Sequence, residues 1–354
     1  MSAAEKQEFK YTQGRTNMQR NFIITASFLF SLLLISSSAG STSLIKRTFC
    51  VWDPVGSNGP FANLMKDVKI KALKWGVELK IKAYTDETVA SNDFKAGQCD
   101  AVAVTEMSSR QYNSFTGSVG AVGALPTLAE LKTVLQTLAQ PKAAKLMSNG
   151  AYEVAGILPT GPIYTLVNDR TIDSVGKFNG KKMAVFKIDP VQMSMYQQFG
   201  ASAVSSSLAR FAGQFNNGSV DIAFAPAAAY MPFELFKGME TGGGVIKRPL
   251  LQSTLQVIIH QDKFPPGYGQ KSREAFVDMI DGAFKFIKEA ETDIRDEYWI
   301  SMNAEATAEL DNLFRSSRIK LRDDGIYNEK TLRIMRKVRC KYNASKAECA
   351  EKTE

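Results

Sequence analysis

The sequence predicts an α/β protein of two similar lobes, followed by helices that pack on them. Three observations predict this fold class: a β-α-β-α-β pattern between residues 178 and 244, a motif of that segment that recurs earlier in the chain, and helical periodicity from Ser272 onward. Such alternating units build parallel sheets covered by helices on both faces. We expect lobe 1 at residues 47–160, lobe 2 at residues 161–260 and the C-terminal helices at residues 261–354.

The pattern in lobe 2 begins with an apolar run of strand length, residues 181–188. Asp189-Pro190 ends this strand, and proline is well placed at the first position of a helix that runs to Gly200. A second helix is predicted at residues 208–215 from apolar residues at i, i+3, i+4 and i+7. Residues 220–225 form the next buried strand.

The recurring motif is a helix that ends in Phe-x-x-Gly, followed by an aspartate that opens a buried strand. It reads Phe94-Lys-Ala-Gly97-Gln-Cys99-Asp100 in lobe 1 and Phe215-Asn-Asn-Gly218-Ser-Val220-Asp221 in lobe 2. In lobe 1 it closes a series of a strand at 48–53, a helix from Phe61, and a strand at 77–83. Each copy completes an α/β pattern, which favours two lobes of similar plan.

Between the lobes, strands are predicted at residues 152–158 and 163–167, on either side of Pro159-Thr-Gly161-Pro162. They are expected to cross from lobe 1 to lobe 2. After a turn at Gly242-Gly-Gly244, a strand at residues 255–260 is expected to lead back to lobe 1.

Composition and charge are those of an ordinary globular protein. The chain has 354 residues, 44% hydrophobic and 23% charged, with a formal net charge of +8. Its lysines and arginines are scattered and do not alternate with aromatic residues, so nucleic-acid binding is not predicted.

The N-terminus, residues 1–40, reads as an export signal. An uncharged run of 14 residues at 22–35 follows Arg20 and precedes the small residues Ser37 and Ala39, after which cleavage is expected. The run is short for a membrane span. Because the preceding segment is long, Met18 is a possible true start, and an uncleaved anchor is the alternative. The mature protein is therefore expected outside the inner membrane.

The four cysteines of an exported protein favour two disulfides. Cys50 lies in the first strand and Cys99 just before the third, and these strands are often neighbours in a doubly wound lobe. Cys340 and Cys349 form a second, local pair. A metal site is the rival interpretation, but a single histidine and no C-x-x-C motif argue against it.

Enzymatic motifs are weak in this sequence. His260 is the sole histidine and ends an apolar strand, where a structural role is favoured over a catalytic one. The glycines at 117–123 have G-x-x-G-x-x-G spacing rather than the dinucleotide order, so no cofactor is predicted. An enzyme on the same fold remains a third alternative.

Ligand binding is expected in a cleft between the lobes, because ligands of open α/β sheets lie beyond the carboxyl ends of the strands. Two facing lobes can close on a small molecule like a hinge. The candidates at strand ends, with Tyr164 at the hinge, are Asp53, Thr105, Glu106, Arg110, Tyr164, Lys187, Asp189, Gln192, Pro226 and Tyr230. Each has an alternative: the aspartates as turn or cap residues, the cations as solvated surface charges, and Tyr164 as a core residue.

Several lobe 2 motifs resemble the solute-binding proteins of tripartite ATP-independent periplasmic (TRAP) transporters, of the DctP-like type. They are Phe178-x-Gly-Lys-Lys-Met-x-Val, Phe199-Gly-Ala201, the Phe215–Asp221 motif, Ala225-Pro-Ala and the helix entry at 264–276. The chain is more similar still to solute-binding proteins that have been associated with RND-type drug efflux. The resemblance covers about residues 47–340.

This resemblance implies a two-lobe, type II periplasmic-binding fold. It also implies capture of a small organic solute, commonly a carboxylate, in the periplasm of a Gram-negative bacterium, and delivery to a membrane permease. One position departs from the family: Ala184 stands where the TRAP pattern has an arginine that clamps the carboxylate. Either Lys187 or Arg110 replaces that charge, or the ligand is not a carboxylate. A periplasmic accessory of an RND-type efflux system is the alternative function.

Overall fold

A computed structural model describes residues 43–186 and 189–354, so the predicted export signal lies outside the described residues. The described strands are β1 (Ile45–Trp52), β2 (Val77–Tyr84), β3 (Ala101–Thr105), β4 (Ser148–Asn149), β5 (Tyr152–Val167), β6 (Lys182–Phe186), β7 (Ser202–Ser206), β8 (Ile222–Pro226), β9 (Gly244–His260) and β10 (Trp299–Ile300).

The described α-helices range from one turn to 20 residues in length. They are α1 (Pro60–Leu73), α2 (Glu87–Lys95), α3 (Glu106–Ser109), α4 (Ser114–Gly117), α5 (Leu128–Leu138), α6 (Ala144–Met147), α7 (Pro190–Gln198), α8 (Phe211–Asn216), α9 (Tyr268–Val277), α10 (Ile280–Thr292), α11 (Ala304–Asp323), α12 (Glu329–Tyr342) and α13 (Ala347–Glu351). Within residues 43–186 and 189–354, none of them is both long and apolar enough to cross a bilayer.

The strands form one mixed sheet with a near-symmetric order, β2-β1-β3-β9-β5-β8-β6-β7. The antiparallel pair β5 and β9 lies at its centre. On one side β3, β1 and β2 make the sheet of lobe 1; on the other, β8, β6 and β7 make that of lobe 2. Within each trio the neighbouring strands are parallel. The predicted two-lobe α/β fold is therefore confirmed, with two long strands shared by both lobes.

The recurring Phe-x-x-Gly motif makes the same contacts in each lobe. The Asp100 carboxylate accepts a hydrogen bond from the Thr48 backbone N–H at 2.8 Å, and the Asp221 carboxylate accepts one from the Lys182 N–H at 2.8 Å. Gly97 and Gly218 both have φ of +74°, a left-handed conformation that favours glycine. Each aspartate thus ties the start of a central strand to the strand beside it.

Three predicted elements differ in extent from the structure. The two strands predicted around Pro159 are one continuous strand, β5, whose register against β9 shifts between Pro159 and Gly161. The return strand is likewise longer, because β9 begins at Gly244 and passes through the proline-interrupted segment before Leu255. The helix predicted at 208–215 begins only at Phe211.

The edge strand β7 was not predicted. Its sequence, Ser-Ala-Val-Ser-Ser, is mostly exposed and lacks the apolar run that indicates a buried strand. The predicted border between the lobes, at 160 and 161, falls inside β5, so that division remains a prediction.

Both predicted disulfides are present. Cys50 and Cys99 join neighbouring strands of lobe 1 with their Cα atoms 5.9 Å apart, and Cys340 and Cys349 join α12 to α13 at 5.6 Å. The cysteines are therefore structural pairs, as predicted.

The C-terminal helices contact both lobes. On α11, the Ser317 hydroxyl donates to the Gln198 side chain at the end of α7, at 2.6 Å. On the same helix, Arg318 donates to the Val122 carbonyl at 2.9 Å. On α12, Arg339 donates to the Ala124 carbonyl at 2.7 Å, and both arginines pair with buried Glu348. The larger hydrophobic core accordingly runs from lobe 1 through β5 and β9 into these helices and part of lobe 2.

Candidate functional site

Two parallel strands of each lobe end at one cavity. The last residues of β1, β3, β6 and β8 are Trp52, Thr105, Phe186 and Pro226, and all four line a cavity of about 740 Å³. Its position agrees with the general placement of ligands beyond the carboxyl ends of strands. Its volume lies within the roughly 300–1,000 Å³ range of small-molecule sites.

The remaining walls come from the crossing strands and from α10. Thr160 and Ile163 on β5, and Leu250 and Ser253 on β9, line the cavity between the lobes. On α10, Phe286 and Ala290 face it, with the exposed carboxylates Glu289 and Asp293 nearby. The cavity is thus built from both lobes, the strands that connect them and one C-terminal helix.

Aromatic side chains form two facing groups. In lobe 1, the rings of Trp52 and Phe61 are 5.7 Å apart. In lobe 2, Phe211 lies between Phe186 at 6.0 Å and Phe233 at 5.8 Å. Met107, Met183, Met195 and Met231 also line the cavity. The lining is therefore mainly hydrophobic, and polarizable thioethers adapt to irregular apolar shapes.

Five of the predicted site residues line this cavity: Thr105, Glu106, Asp189, Gln192 and Pro226. Gln192 accepts a hydrogen bond from the Phe186 N–H at 2.9 Å, and its amide nitrogen is 4.0 Å from the Met107 sulfur of lobe 1. It therefore reaches from lobe 2 toward lobe 1. That these five residues bind a ligand stays a prediction.

Glu106 is a buried acidic group of the lining, with 6% of its surface exposed. Its Oε2 accepts hydrogen bonds from the Thr254 N–H at 2.7 Å and the Ser253 hydroxyl at 3.0 Å. Burial raises the pKa of its carboxyl, while these bonds and the charge of Arg110 lower it in part. Among the described residues, no other residue donates a hydrogen bond to Oε1.

Thr105 is held from behind the cavity by Glu87. The Thr105 N–H and hydroxyl both donate to Glu87 Oε1, at 2.6 and 2.7 Å. Burial raises the pKa of Glu87 to about 7, and its Oε2 is buried without a partner among the described residues. This carboxyl supports the cavity wall but does not line the cavity.

Asp189 and Arg110 form an ion pair between the lobes. Arg110 Nη1 lies 3.0 Å from Asp189 Oδ1, with only 12% and 8% of the two side chains exposed. The guanidinium also lies over the Tyr327 ring at 5.6 Å and donates to the Gly117 carbonyl. Asp189 in addition caps α7 by accepting from the Val191 N–H at 3.1 Å. Arg110 itself is not part of the cavity lining.

Asp53 is fully buried and outside the lining. It accepts hydrogen bonds from the N–H groups of Val55, Phe61 and Ala62 at 2.8–3.0 Å, and so fixes the loop and the start of α1. A side chain at Gly59 would collide with this carboxylate, which explains the glycine there. Asp53 therefore acts as a turn and cap residue, which is the alternative role that its sequence position allowed.

Two predicted tyrosines also lie outside the lining. The Tyr164 hydroxyl donates to Glu291 at 2.7 Å, and its ring packs edge-on against Trp299. Burial raises the pKa of Tyr164 most, and the Glu291 carboxylate raises it further. Tyr230 is buried beside Phe236. Lys187 lies outside the described residues.

Ala184 lines the cavity and is 3% exposed. Among the described residues of the lining there is no lysine or arginine, whereas four carboxylates are present: Glu106, Asp189, Glu289 and Asp293. The described lining is thus acidic and apolar at the place where the TRAP pattern supplies a cation.

Sequence reasoning missed most of the hydrophobic lining. Phe186, Phe211 and Leu208 are apolar in strand or helix patterns and were interpreted as core. The available signal was position: Trp52 and Phe186 are strand-terminal, as the polar candidates are. The contribution of α10, which begins about 60 residues after the Phe215–Asp221 motif, carries no local signal.

These features define a two-lobe solute-binding protein, with a cavity between two lobes that are joined by two long strands. A profile of the family described as "Solute-binding protein AdeT 1/2" matches residues 61–354. The chain is 40% identical over 300 residues to probable solute-binding protein AdeT1 of Acinetobacter baumannii, covering 85% of this chain and 99% of that relative. It is 25% identical over 224 residues to AdeT2 of the same organism, covering 63% and 94% of the two chains. The chain belongs to this AdeT solute-binding family.

Solved structures of TRAP periplasmic solute-binding proteins share the fold. One from Desulfovibrio salexigens, with bound orotic acid, matches with a TM-score of 0.69, 13% identity, and coverage of 85% of this chain and 99% of that one. DctP7 of Bordetella pertussis, which binds pyroglutamic acid, matches with a TM-score of 0.67 and 11% identity over 83% and 99% of the chains. One from Haemophilus influenzae, with bound L-gulonate, matches with a TM-score of 0.68 and 11% identity, over 83% of this chain and 98% of that one. At these identities the likeness shows the fold alone.

Proposed function

We propose that this protein captures one small organic solute in the cavity between its lobes, outside the inner membrane, and delivers it to a membrane permease. The observation that carries the proposal is the meeting of four strand ends, two from each lobe, at a cavity of about 740 Å³. Family membership and the TRAP-like fold point to a binding rather than an enzymatic role. They do not favour the efflux-accessory alternative.

The mechanism is hinge closure. The shared strands β5 and β9 carry three register shifts, one of them beside Pro159 and Gly161, and we expect bending where backbone pairing is irregular. The pair Arg110–Asp189 and the approach of Gln192 to Met107 join the two sides of the cavity. A solute that contacts both walls binds the closed form more tightly than the open form, and therefore shifts the protein toward the closed form.

Binding is tested with protein that has been unfolded under non-reducing conditions, washed and refolded to remove co-purified solute. Isothermal titration against small organic amines, alcohols and carboxylates is expected to give one site per chain. Small-angle scattering is expected to show a smaller radius of gyration once that site is filled. Absence of binding by every solute class, with an unchanged radius, would contradict the proposal.

The location of the site is tested by filling it. Ala228 is half-buried on the cavity wall, so Ala228→Trp is expected to abolish binding by occupying the space. Ala308 is exposed on α11, and Ala308→Trp is the matched control that should bind normally. Equal binding by both variants would place the site elsewhere.

The interlobe ion pair gives a further check on closure. Arg110→Met leaves Asp189 without its partner across the cavity and is expected to shift the solute-free protein toward an open form, with a larger radius of gyration. Lys132→Met, which removes an ion pair at the surface with Asp281, is the control and should leave the radius unchanged.

A further inference from the structure

The cavity's buried charges do not balance. Asp189 and Glu106 both lie on the lining, and Arg110 is the described cation beside them. Arg110 is paired directly with Asp189 at 3.0 Å. With both carboxyls ionised, the trio therefore carries one surplus negative charge, which belongs to Glu106.

The Glu106 carboxylate is only half used. Its Oε2 accepts from the Thr254 N–H and the Ser253 hydroxyl, whereas Oε1 receives no hydrogen bond from another described residue. The side chain is 6% exposed and lies on the cavity wall. A buried carboxylate in this state is stabilised by a nearby cation or hydrogen-bond donor. A cationic molecule bound in the cavity would supply such a partner to Oε1.

The rest of the cavity favours an apolar, ring-bearing molecule. Trp52 and Phe61 in lobe 1 face Phe186, Phe211 and Phe233 in lobe 2. Aromatic faces also attract cations, and the attraction is strongest where water is excluded. A free carboxylate in this position would meet Glu106 and hydrophobic side chains, with Ala184 in place of a guanidinium.

We propose that the cavity binds an amphipathic organic amine, with its apolar ring body between the aromatic walls and its ammonium group at Glu106. This rests on the proposed function and specifies the solute class of the same site. It separates the protein from the TRAP neighbours whose structures contain organic acids.

The test uses matched probes that share a ring body and differ in the polar end. Three sets serve: amine, alcohol and carboxylate derivatives of phenyl, naphthyl and indolyl alkanes, exemplified by tryptamine, tryptophol and indole-3-acetate. In isothermal titration, the tightest probe is expected to be an amine, about tenfold tighter than its alcohol and its carboxylate, as one charge-assisted hydrogen bond implies. Carboxylates that bind more tightly than amines overturn the inference and leave the proposed function standing. If neither these probes nor any other solute binds, both the amine inference and the proposed function are contradicted.

Variants assign the effect to Glu106. Glu106→Gln keeps the shape and the acceptor for Thr254, and is expected to weaken the amine about tenfold while changing the alcohol by less than about twofold. Glu130→Gln, a buried capping carboxylate on α5 that lies outside the cavity lining, is the matched control and should leave amine binding unchanged. Equal effects of these two variants overturn the role of Glu106.

A gain-of-function variant keeps the inference testable if Glu106→Gln folds poorly. Ala184→Arg restores the cation of the TRAP pattern and is expected to reverse the order, so that the carboxylate binds better than the amine. Lys187→Met controls for the cation outside the described residues. If the wild-type protein prefers carboxylates and Lys187→Met loses this preference, Lys187 forms an anion site and the amine proposal is overturned.

Discussion

Asp53 and Asp189 each lie between the first strand and the first helix of a lobe, yet their partners differ. Asp53 accepts three backbone hydrogen bonds, all from its own lobe, and is fully buried. Asp189 accepts one backbone hydrogen bond and pairs with Arg110 on the opposite side of the cavity. The same residue type in comparable places therefore stabilises one lobe internally and connects the other lobe across the cleft.

A second difference concerns the strands themselves. The shared contacts of Asp100 with Thr48 and Asp221 with Lys182 align the two lobes. Cys50, two residues after Thr48, aligns with Ala184, two residues after Lys182. Cys99, one residue before Asp100, aligns with Val220, one residue before Asp221. Lobe 1 thus has a covalent cross-link where lobe 2 has two apolar residues, of which Ala184 lines the cavity. The comparison teaches that corresponding positions can cross-link one lobe and form part of the cavity wall in the other.

The largest effect is expected from removing the lobe 1 cross-link. The double variant Cys50→Ala, Cys99→Ala should lower the free energy of unfolding by about 4 kcal/mol, because the disulfide closes a loop of 49 residues in the unfolded chain. Guanidinium unfolding followed by circular dichroism measures this loss. The control is Cys340→Ala, Cys349→Ala, where the separation is 9 residues and about 3 kcal/mol is expected. A lobe 1 loss no larger than the control's contradicts the loop-closure account.

The aspartate comparison is sharpened by asparagine at both positions. Asp53→Asn is expected to cost about 3 kcal/mol, since both carboxylate oxygens accept N–H groups and an amide NH₂ would oppose one of them. Asp189→Asn is expected to lower the free energy of unfolding by about 1 kcal/mol. Both described hydrogen bonds are accepted by one oxygen, Oδ1, and the amide oxygen of asparagine can take its place. Urea unfolding of the two variants gives the difference.

The control for that pair is Asp86→Asn, at the exposed cap of α2, where Oδ1 accepts hydrogen bonds from the N–H groups of Thr88 and Val89. The free energy of unfolding of this variant should fall by no more than about 0.5 kcal/mol. Equal costs at Asp53 and Asp189 would remove the distinction between an internal cap and an interlobe contact.

A third effect concerns pH. Burial raises the pKa of Glu87 from 4.5 to about 7, so the folded protein holds a proton that the unfolded chain releases. This stabilisation is full below about pH 4.5 and is lost as pH rises through 7. Between pH 5 and pH 8 it should amount to about 2 kcal/mol. In Glu87→Gln that slope should disappear, with the bonds from Thr105 retained, as unfolding at several pH values will show.

The control is Glu130→Gln on α5, a buried capping carboxylate of lobe 1 that accepts from Thr127. The Glu87-dependent slope should persist in this variant. Persistence of the slope in Glu87→Gln would assign it to other groups, with Glu106 the first candidate because burial raises its pKa too.

The local parts of the fold could be predicted because their causes lie within a few residues. Gly97 and Gly218 end helices with positive φ, and Asp189-Pro190 stops a strand and caps a helix, by chemistry that neighbours in sequence determine. The Cys50–Cys99 disulfide followed from strand adjacency in a doubly wound lobe, and the Cys340–Cys349 disulfide from the short separation of its two cysteines. The edge strand β7 and the full lengths of β5 and β9 were missed because pairing, rather than an apolar run, makes those segments extended.

What the sequence by itself determined was the repeat of two α/β lobes, the cysteine pairs and the strand ends at which a ligand site is expected. What only the tertiary structure decided was the partner of each buried polar group. Arg110 and Asp189 are 79 residues apart in sequence, and nothing near either one specifies their pairing. Glu106 likewise meets Thr254 only because β3 and β9 are neighbours. The physical reason is that backbone conformation depends mainly on nearby residues, whereas burial and charge pairing depend on which distant elements pack together.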